Sequence, residues 1–145
     1  MLDSTITSFF DFLHKMLDNA IVCTSNTSNK GTNGEVKETN GLYEGHAYSL
    51  LQTAKIYLKN GQMVMLVKIR NPWGKHEWNG DWSDGCKKWN TVSESTKTEI
   101  DYTNKNDGGF WMSFQDWTKQ FEKFSICILP ALYVSYFSNN IFCFF

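Results

Sequence analysis

Apolar residues recur at the spacing of one helical face from Phe9 to Leu17, where Phe9, Phe10, Phe12, Leu13, Met16 and Leu17 alternate with polar positions. Ser8 stands where a side-chain oxygen caps a helix N-terminus, so a short amphipathic helix is expected to begin there. A brief apolar run, Ile21-Val22-Cys23, gives way to a stretch rich in Ser, Thr, Asn and Gly that carries no periodicity and predicts a mobile loop over about 24–42. Three strands are expected next, over 45–52, 54–58 and 63–70. The last two are joined by Lys59-Asn60-Gly61-Gln62, and Asn-Gly between apolar runs is a strong hairpin signal. Met63 to Val67 is apolar on both faces and so belongs inside an antiparallel sheet.

Beyond it, 71–90 is dense in Gly, Trp and Asp and predicts an ordered loop held by aromatic packing. Ser93 is placed to cap a short helix through Ile100, and the turn Asp107-Gly108-Gly109 leads into a strand at 110–112. Ser113 then caps a helix presenting Phe114, Trp117, Phe121 and Phe124 on one side, with a strand over 125–129 after it.

Composition narrows the classes. A chain of 145 residues with 41% apolar content can bury one core. Its 16% aromatic content and six Trp residues argue for packed rings rather than disorder. Fourteen basic and fifteen acidic side chains leave a net charge of −1, which gives no field for nucleic acid or an anionic membrane. Cys23, Cys86, Cys127 and Cys143 form no CxxC pair, and no His stands at zinc-ligand spacing, so a reducing, cytoplasmic setting is expected. Cys23 and Cys127 read as buried apolar thiols and Cys86 as a loop cysteine. The start has no basic n-region and does not read as a signal peptide. The apolar run 129–145 is interrupted by Ser138-Asn139-Asn140 and falls short of the ~20 residues of a spanning helix, so no stable membrane insertion is expected. The chain divides into a domain over 1–130 and an apolar tail, 131–145, of unknown role.

Chemistry gathers at two motifs. In Gly45-His46-Ala47-Tyr48 a histidine opens a strand beside a small residue, a placement that suits a general base as well as a packed histidine. One hairpin later, Asn71-Pro72-Trp73-Gly74 ends the interior strand. Pro72 restrains Asn71 to extended geometry, so its amide oxygen is aimed to accept the Nδ1–H of His46, leaving Nε2 for a nucleophile. Trp73 is expected to cover that bond and exclude water. The Trp78, Trp82, Trp89 and Trp111 set reads as packing rather than a ligand platform.

Four stretches in this order resemble calpains: Gly45-His46-Ala47-Tyr48-Ser49, Arg70-Asn71-Pro72-Trp73-Gly74, Glu77-Trp78-Asn79-Gly80-Asp81-Trp82-Ser83-Asp84, and Gly109-Phe110-Trp111-Met112-Ser113-Phe114. The resemblance covers Phe9 to Leu129. It implies an α+β fold, the second subdomain of a papain-like cysteine protease core, with an antiparallel β barrel or sheet and short flanking helices. It also implies that His46 is the catalytic base, Asn71 its orienting partner and Trp73 their shield. No Gly-rich segment with a nucleophilic Cys and an oxyanion-hole Gln precedes them in this sequence. The chain alone is therefore expected to be inactive, a piece of a calcium-dependent endopeptidase that needs a Cys-bearing subdomain to cleave protein substrates. The resemblance further places Glu77, Asp84 and Asp107 at calcium-ligand positions and Lys105 at a main-chain carbonyl position. Gly109 stands where many calpains carry another acid. A non-catalytic interaction or calcium-binding module and a fragment of a longer gene remain open readings at this point.

Overall fold

In the computed structural model, which describes residues 4–26 and 35–129, an antiparallel sheet of five strands is flanked by three helices. The elements are helix α1 (Ser4–Met16), strands β1 (Ala20–Ser25), β2 (Val36–Lys37), β3 (Tyr43–Glu44), β4 (Ala47–Tyr57) and β5 (Met63–Arg70), a 3-10 turn at Lys87–Thr91, helix α2 (Glu94–Glu99), strand β6 (Gly109–Ser113), helix α3 (Phe114–Gln120) and strand β7 (Lys123–Ile128). The large sheet runs β6-β5-β4-β1-β7, and β2 pairs with β3 alone. Among the described residues β6 and β7 are the edges and the sheet stays open, so of the two forms expected the sheet, not the barrel, is the one built.

Each face of the sheet carries its own core. Met65, Val67 and Ile69 of β5 and Phe110 and Met112 of β6 join Phe10 and Leu13 of α1 and Phe114 and Trp117 of α3 on one side. Leu66 of β5 and Trp111 of β6 pack with Trp82, Trp89, Val92 and Ile100 on the other. Period-two alternation along β5 and β6 therefore feeds both layers. Strand β4 serves both by a different device. Tyr48 and Leu50 face the helical side, whereas Ala54 and Ile56 face the tryptophan side, although all four are even-numbered. A bulge between Leu50 and Gln52 shifts the register by one residue and turns the strand over, leaving Leu51 39% exposed.

That bulge corrects the expectation of separate strands over 45–52 and 54–58: one eleven-residue strand covers both. Three further expectations change. Helix α1 starts at Ser4, and Ser8 lies inside it, its hydroxyl donating to the Ser4 carbonyl one turn back at 2.9 Å instead of capping an end. The loop expected over 24–42 is ordered at both ends, where Thr24 and Ser25 pair with Tyr48 and Ala47 and the Val36–Lys37 strand pairs with Tyr43–Glu44. Residues 27–34 of that loop lie outside the described residues. Phe124 belongs to β7, because α3 ends at Gln120 with Phe121 extended.

The caps at Ser93 and Ser113 are as expected, each hydroxyl accepting the backbone N–H three residues on. The four tryptophans expected to pack are all buried, Trp78 at 8% and the rest at 3% or less. Among the cysteines expected to be buried, Cys23 is half-buried, and Cys127 departs furthest from expectation. It is exposed because β7 is an edge strand whose side chains are mostly exposed. Cys86 is also half-buried, and Cys143 and the tail 131–145 lie outside the described residues. No helix among the described residues is long and apolar enough to cross a membrane.

Candidate active site

Strand pairing decides which side chains can meet at this site. Ser49 pairs with Arg70, so the residue just before β4 and the residue just after β5 lie at the same end of the sheet. Those residues are His46, at 6% exposure, and Asn71, which is fully buried. Their side chains meet at 3.0 Å, His46 Nε2 to Asn71 Oδ1.

Every polar atom of Asn71 is engaged. Its backbone N–H donates to the Gly108 carbonyl at 2.7 Å, and its own carbonyl accepts from Gly74 at 3.0 Å. Its side-chain oxygen also accepts the Trp73 N–H at 3.0 Å, and its side-chain NH2 donates to the His76 carbonyl at 3.1 Å. The last two bonds fix which end of the amide is oxygen, so the ring nitrogen facing it must be a donor. His76 adopts a left-handed backbone, φ 64°, that aims its carbonyl at Asn71. Gly108, φ 87°, lets the 107–109 loop pass so close that a Cβ there would stand 2.7 Å from the Gly74 Cα and 2.8 Å from the Asn71 carbonyl oxygen.

Around the imidazole, the Trp73 ring lies at 4.2 Å between centroids, tilted by 35°, and the Tyr48 ring meets it edge-on at 4.8 Å. The Tyr48 hydroxyl accepts the Tyr43 N–H at 2.8 Å. Burial pushes the Tyr48 hydroxyl up to about 12, and the nearby Glu35 charge adds to the rise, so it stays a neutral group beside the histidine. Trp73 covers one face of the ring and is itself 42% exposed.

The ring orientation corrects the sequence reading. Nε2, not Nδ1, faces Asn71, because the fully buried amide meets the distal nitrogen of the ring. Nδ1 is left toward the more open side, where the Glu35 carboxylate accepts from it at 2.7 Å. Sequence reasoning assigned no role to Glu35, His76, Tyr43 or Tyr48. Glu35 stands in a polar stretch without periodicity, and the His76 contribution is a backbone carbonyl that no side-chain pattern reveals.

The acids expected to bind calcium stand in the loops below Asn71. Glu77 accepts from the Gly108 N–H at 2.7 Å, Asp84 from the Lys105 N–H at 2.7 Å, and Asp107 from the Gly109 N–H at 2.9 Å. Each carboxylate is thus turned onto a loop amide, and no three His, Cys, Asp or Glu side chains among the described residues gather closely enough to hold a metal ion. One feature does suit a cation: the second oxygen of Asp84 is buried without a hydrogen-bond partner. Burial first, then the charges of Glu77 and Asp107, push the Asp84 carboxyl up to about 6.

The family model described as calpain family cysteine protease matches residues 2–128. The chain belongs to the calpain family. Among curated relatives of this calpain-family chain, Calpain clp-1 of Caenorhabditis elegans is 47% identical over 96 residues, which cover 66% of the chain and 12% of that relative. Mouse Calpain-9 is 37% identical over 123 residues, covering 83% of the chain and 18% of Calpain-9. Calpain clp-4 of Caenorhabditis elegans is 44% identical over 98 residues, 67% of the chain and 14% of the relative. The chain therefore spans less than a fifth of the length of each of these relatives.

Proposed function

We propose that this chain is the His/Asn-bearing subdomain of a calcium-dependent, calpain-type cysteine endopeptidase, and that it acts on protein substrates when a subdomain carrying the nucleophilic cysteine packs against it. The observation that carries the reading is the buried 3.0 Å bond between His46 Nε2 and Asn71 Oδ1. A histidine anchored through one ring nitrogen presents the other for proton transfer. Here that nitrogen is Nδ1.

In the assembled site His46 pairs, as imidazolium, with the cysteine thiolate. The thiolate attacks the peptide carbonyl, and the tetrahedral adduct collapses to an acyl-enzyme as Nδ1–H protonates the departing amine. The neutral imidazole then takes a proton from water, which attacks the thioester and releases the acid. Asn71 holds the ring in register throughout, and the Trp73 ring lowers the local dielectric around the His46–Asn71 bond. The described cysteines give no support to a nucleophile within the chain: Cys86 packs against the tryptophan core and Cys127 is exposed on an edge strand, while both His46 nitrogens already have other partners.

Calcium is the second part of the proposal. Glu77, Asp84 and Asp107 supply the oxygen donors a hard cation takes, and Asp84 has a free oxygen to offer. Glu77 and Asp107 must first release the Gly108 and Gly109 amides. Affinity is accordingly expected in the sub-millimolar to millimolar range of sites poor in charge, ~10⁻⁴–10⁻³ M. Gly109→Glu is expected to tighten it by adding a carboxylate where many calpains carry an acid, with Asp107 Oδ1, 3.1 Å from the new Cβ, giving by a few tenths of an ångström. Calorimetric titration checks both forms, and no heat from either removes calcium from the account.

The proposal as a whole is tested by co-expressing the chain with the Cys-bearing subdomain of a related calpain and assaying a fluorogenic peptide in calcium. Activity that needs both parts and vanishes in His46→Ala supports it. Hydrolysis by the chain alone that depends on Cys23, Cys86 or Cys127 overturns it.

A further inference from the structure

His46 makes two hydrogen bonds, and both partners are acceptors. Asn71 Oδ1 is fixed as an acceptor by the bonds its amide makes to Trp73 and His76. The Glu35 carboxylate, 40% exposed, accepts on the other side at 2.7 Å. A neutral imidazole has one N–H and leaves one of these contacts unmade, whereas an imidazolium satisfies both. The Trp73 face at 4.2 Å and the Tyr48 ring edge add no competing charge. In its protonated form the imidazole thus pairs with a carboxylate that stands in the position the proposed mechanism reserves for a thiolate.

From this we infer that Glu35 is a built-in latch on the base: it supplies the anion for His46 Nδ1 until an incoming thiolate displaces it. This rests on the proposed role of His46. The exchange balances in charge and protons. The cysteine thiol loses its proton to solvent, its thiolate takes over the Nδ1–H of the imidazolium, and the Glu35 carboxylate returns to water as an anion. No bond to carbon forms or breaks. The placement of Glu35 suits a displaceable group. It stands immediately before β2, in a two-stranded unit separate from the main sheet, and it is far more exposed than the ring it caps. A half-exposed ion pair of this kind contributes little, so the latch delays assembly without preventing it.

Two measurements test the latch. In the isolated chain, carbethoxylation by diethyl pyrocarbonate reads the unprotonated, accessible imidazole, and peptide mass spectrometry separates His46 from His14 and His76, which serve as internal controls. Glu35→Ala is expected to raise the His46 rate by about fivefold, the upper range for a half-exposed pair, and to leave the two controls unchanged. Glu35→Gln keeps an acceptor without the charge and should fall between. It also preserves the test if the alanine form does not fold. An unchanged His46 rate in the folded variant overturns the inference. When the Cys-bearing subdomain of a related calpain is added, Glu35→Ala should yield about twofold to fivefold more activity than wild type at limiting partner. Lower activity would show instead that Glu35 positions the ring for catalysis, which also overturns the latch. Absence of activity from every form removes the protease reading, and the labelling result alone then decides whether Glu35 occupies Nδ1.

Discussion

Every polar atom of Asn71 is engaged and the residue has no exposure, so it is the one whose loss the site tolerates least. Asn71→Ala strands the Trp73 N–H, the His76 carbonyl and the His46 ring. It is expected to cost roughly 2–4 kcal/mol, read as a lowered urea midpoint. Asp84 makes the opposite prediction. Its carboxyl, raised to about 6 by burial and by Glu77 and Asp107, holds a proton in the folded chain that the unfolded chain releases near the ordinary value of 3.8. The folded state thus binds more protons between about pH 4 and 6, and the Asp84 contribution to stability falls as pH rises through that window. Asp84→Asn should flatten that slope and raise stability at pH 7 by a few tenths to about 1 kcal/mol, discounted because solvent reaches this half-buried group. A slope unchanged by the substitution would show that other groups set it. At this scale the sequence was readable in which side chains meet, as for His46, Asn71 and Trp73. It was unreadable where chemistry lives in ring orientation or a backbone carbonyl: the Nδ1/Nε2 assignment reversed, and Glu35 and His76 carried no signal.

Among the elements, the strands came through most clearly, because alternation along β5 and β6 and the Asn60-Gly61 turn are local features. The bulge at Leu51 did not, since an extra residue leaves the apolar content of 45–58 intact and only its facing changes. Deleting Leu51 tests the bulge. It removes the extra residue and leaves plain alternation, with Leu50 and Thr53 still beside Ile69 and Val67 and with Gln52, Ala54 and Ile56 still on the tryptophan side, so cooperative thermal unfolding should be kept, while Leu51→Ala, at an exposed position, should shift stability by no more than about 0.5 kcal/mol. Loss of cooperative unfolding on deletion would mean that the bulge itself, and not the alternation on either side of it, holds the two cores together. The close pass of Gly108 behind Asn71 gives a second element-level test. Gly108→Ala strains a left-handed backbone and drives a methyl group into Gly74 and the Asn71 carbonyl, at a cost of about 1–3 kcal/mol in thermal unfolding. The displaced start of α1 follows from Ser8 bonding back to Ser4 within the helix, a choice that sequence alone leaves undecided between cap and interior.

For the molecule as a whole, two cores on one open sheet hold the His46–Asn71 pair at the sheet end, and the family match covers nearly all of the described residues. That much of the architecture was legible because the motifs lie on consecutive strands and loops. What no residue pattern supplied was the partner of His46 Nδ1, which depends on a contact between a loop acid and a strand-end histidine eleven residues apart. The central claim is that His46 forms a thiolate–imidazolium pair with a cysteine brought by another subdomain. Iodoacetamide alkylation of that cysteine at pH 6, where a free thiol with a pKa of about 8.5 is almost wholly protonated, tests it most directly. Mixing with this chain should accelerate alkylation at least about tenfold, and His46→Ala should return it to the rate of the cysteine-bearing subdomain alone. Acceleration that survives His46→Ala, or none at all from a pair shown to associate, would contradict the account.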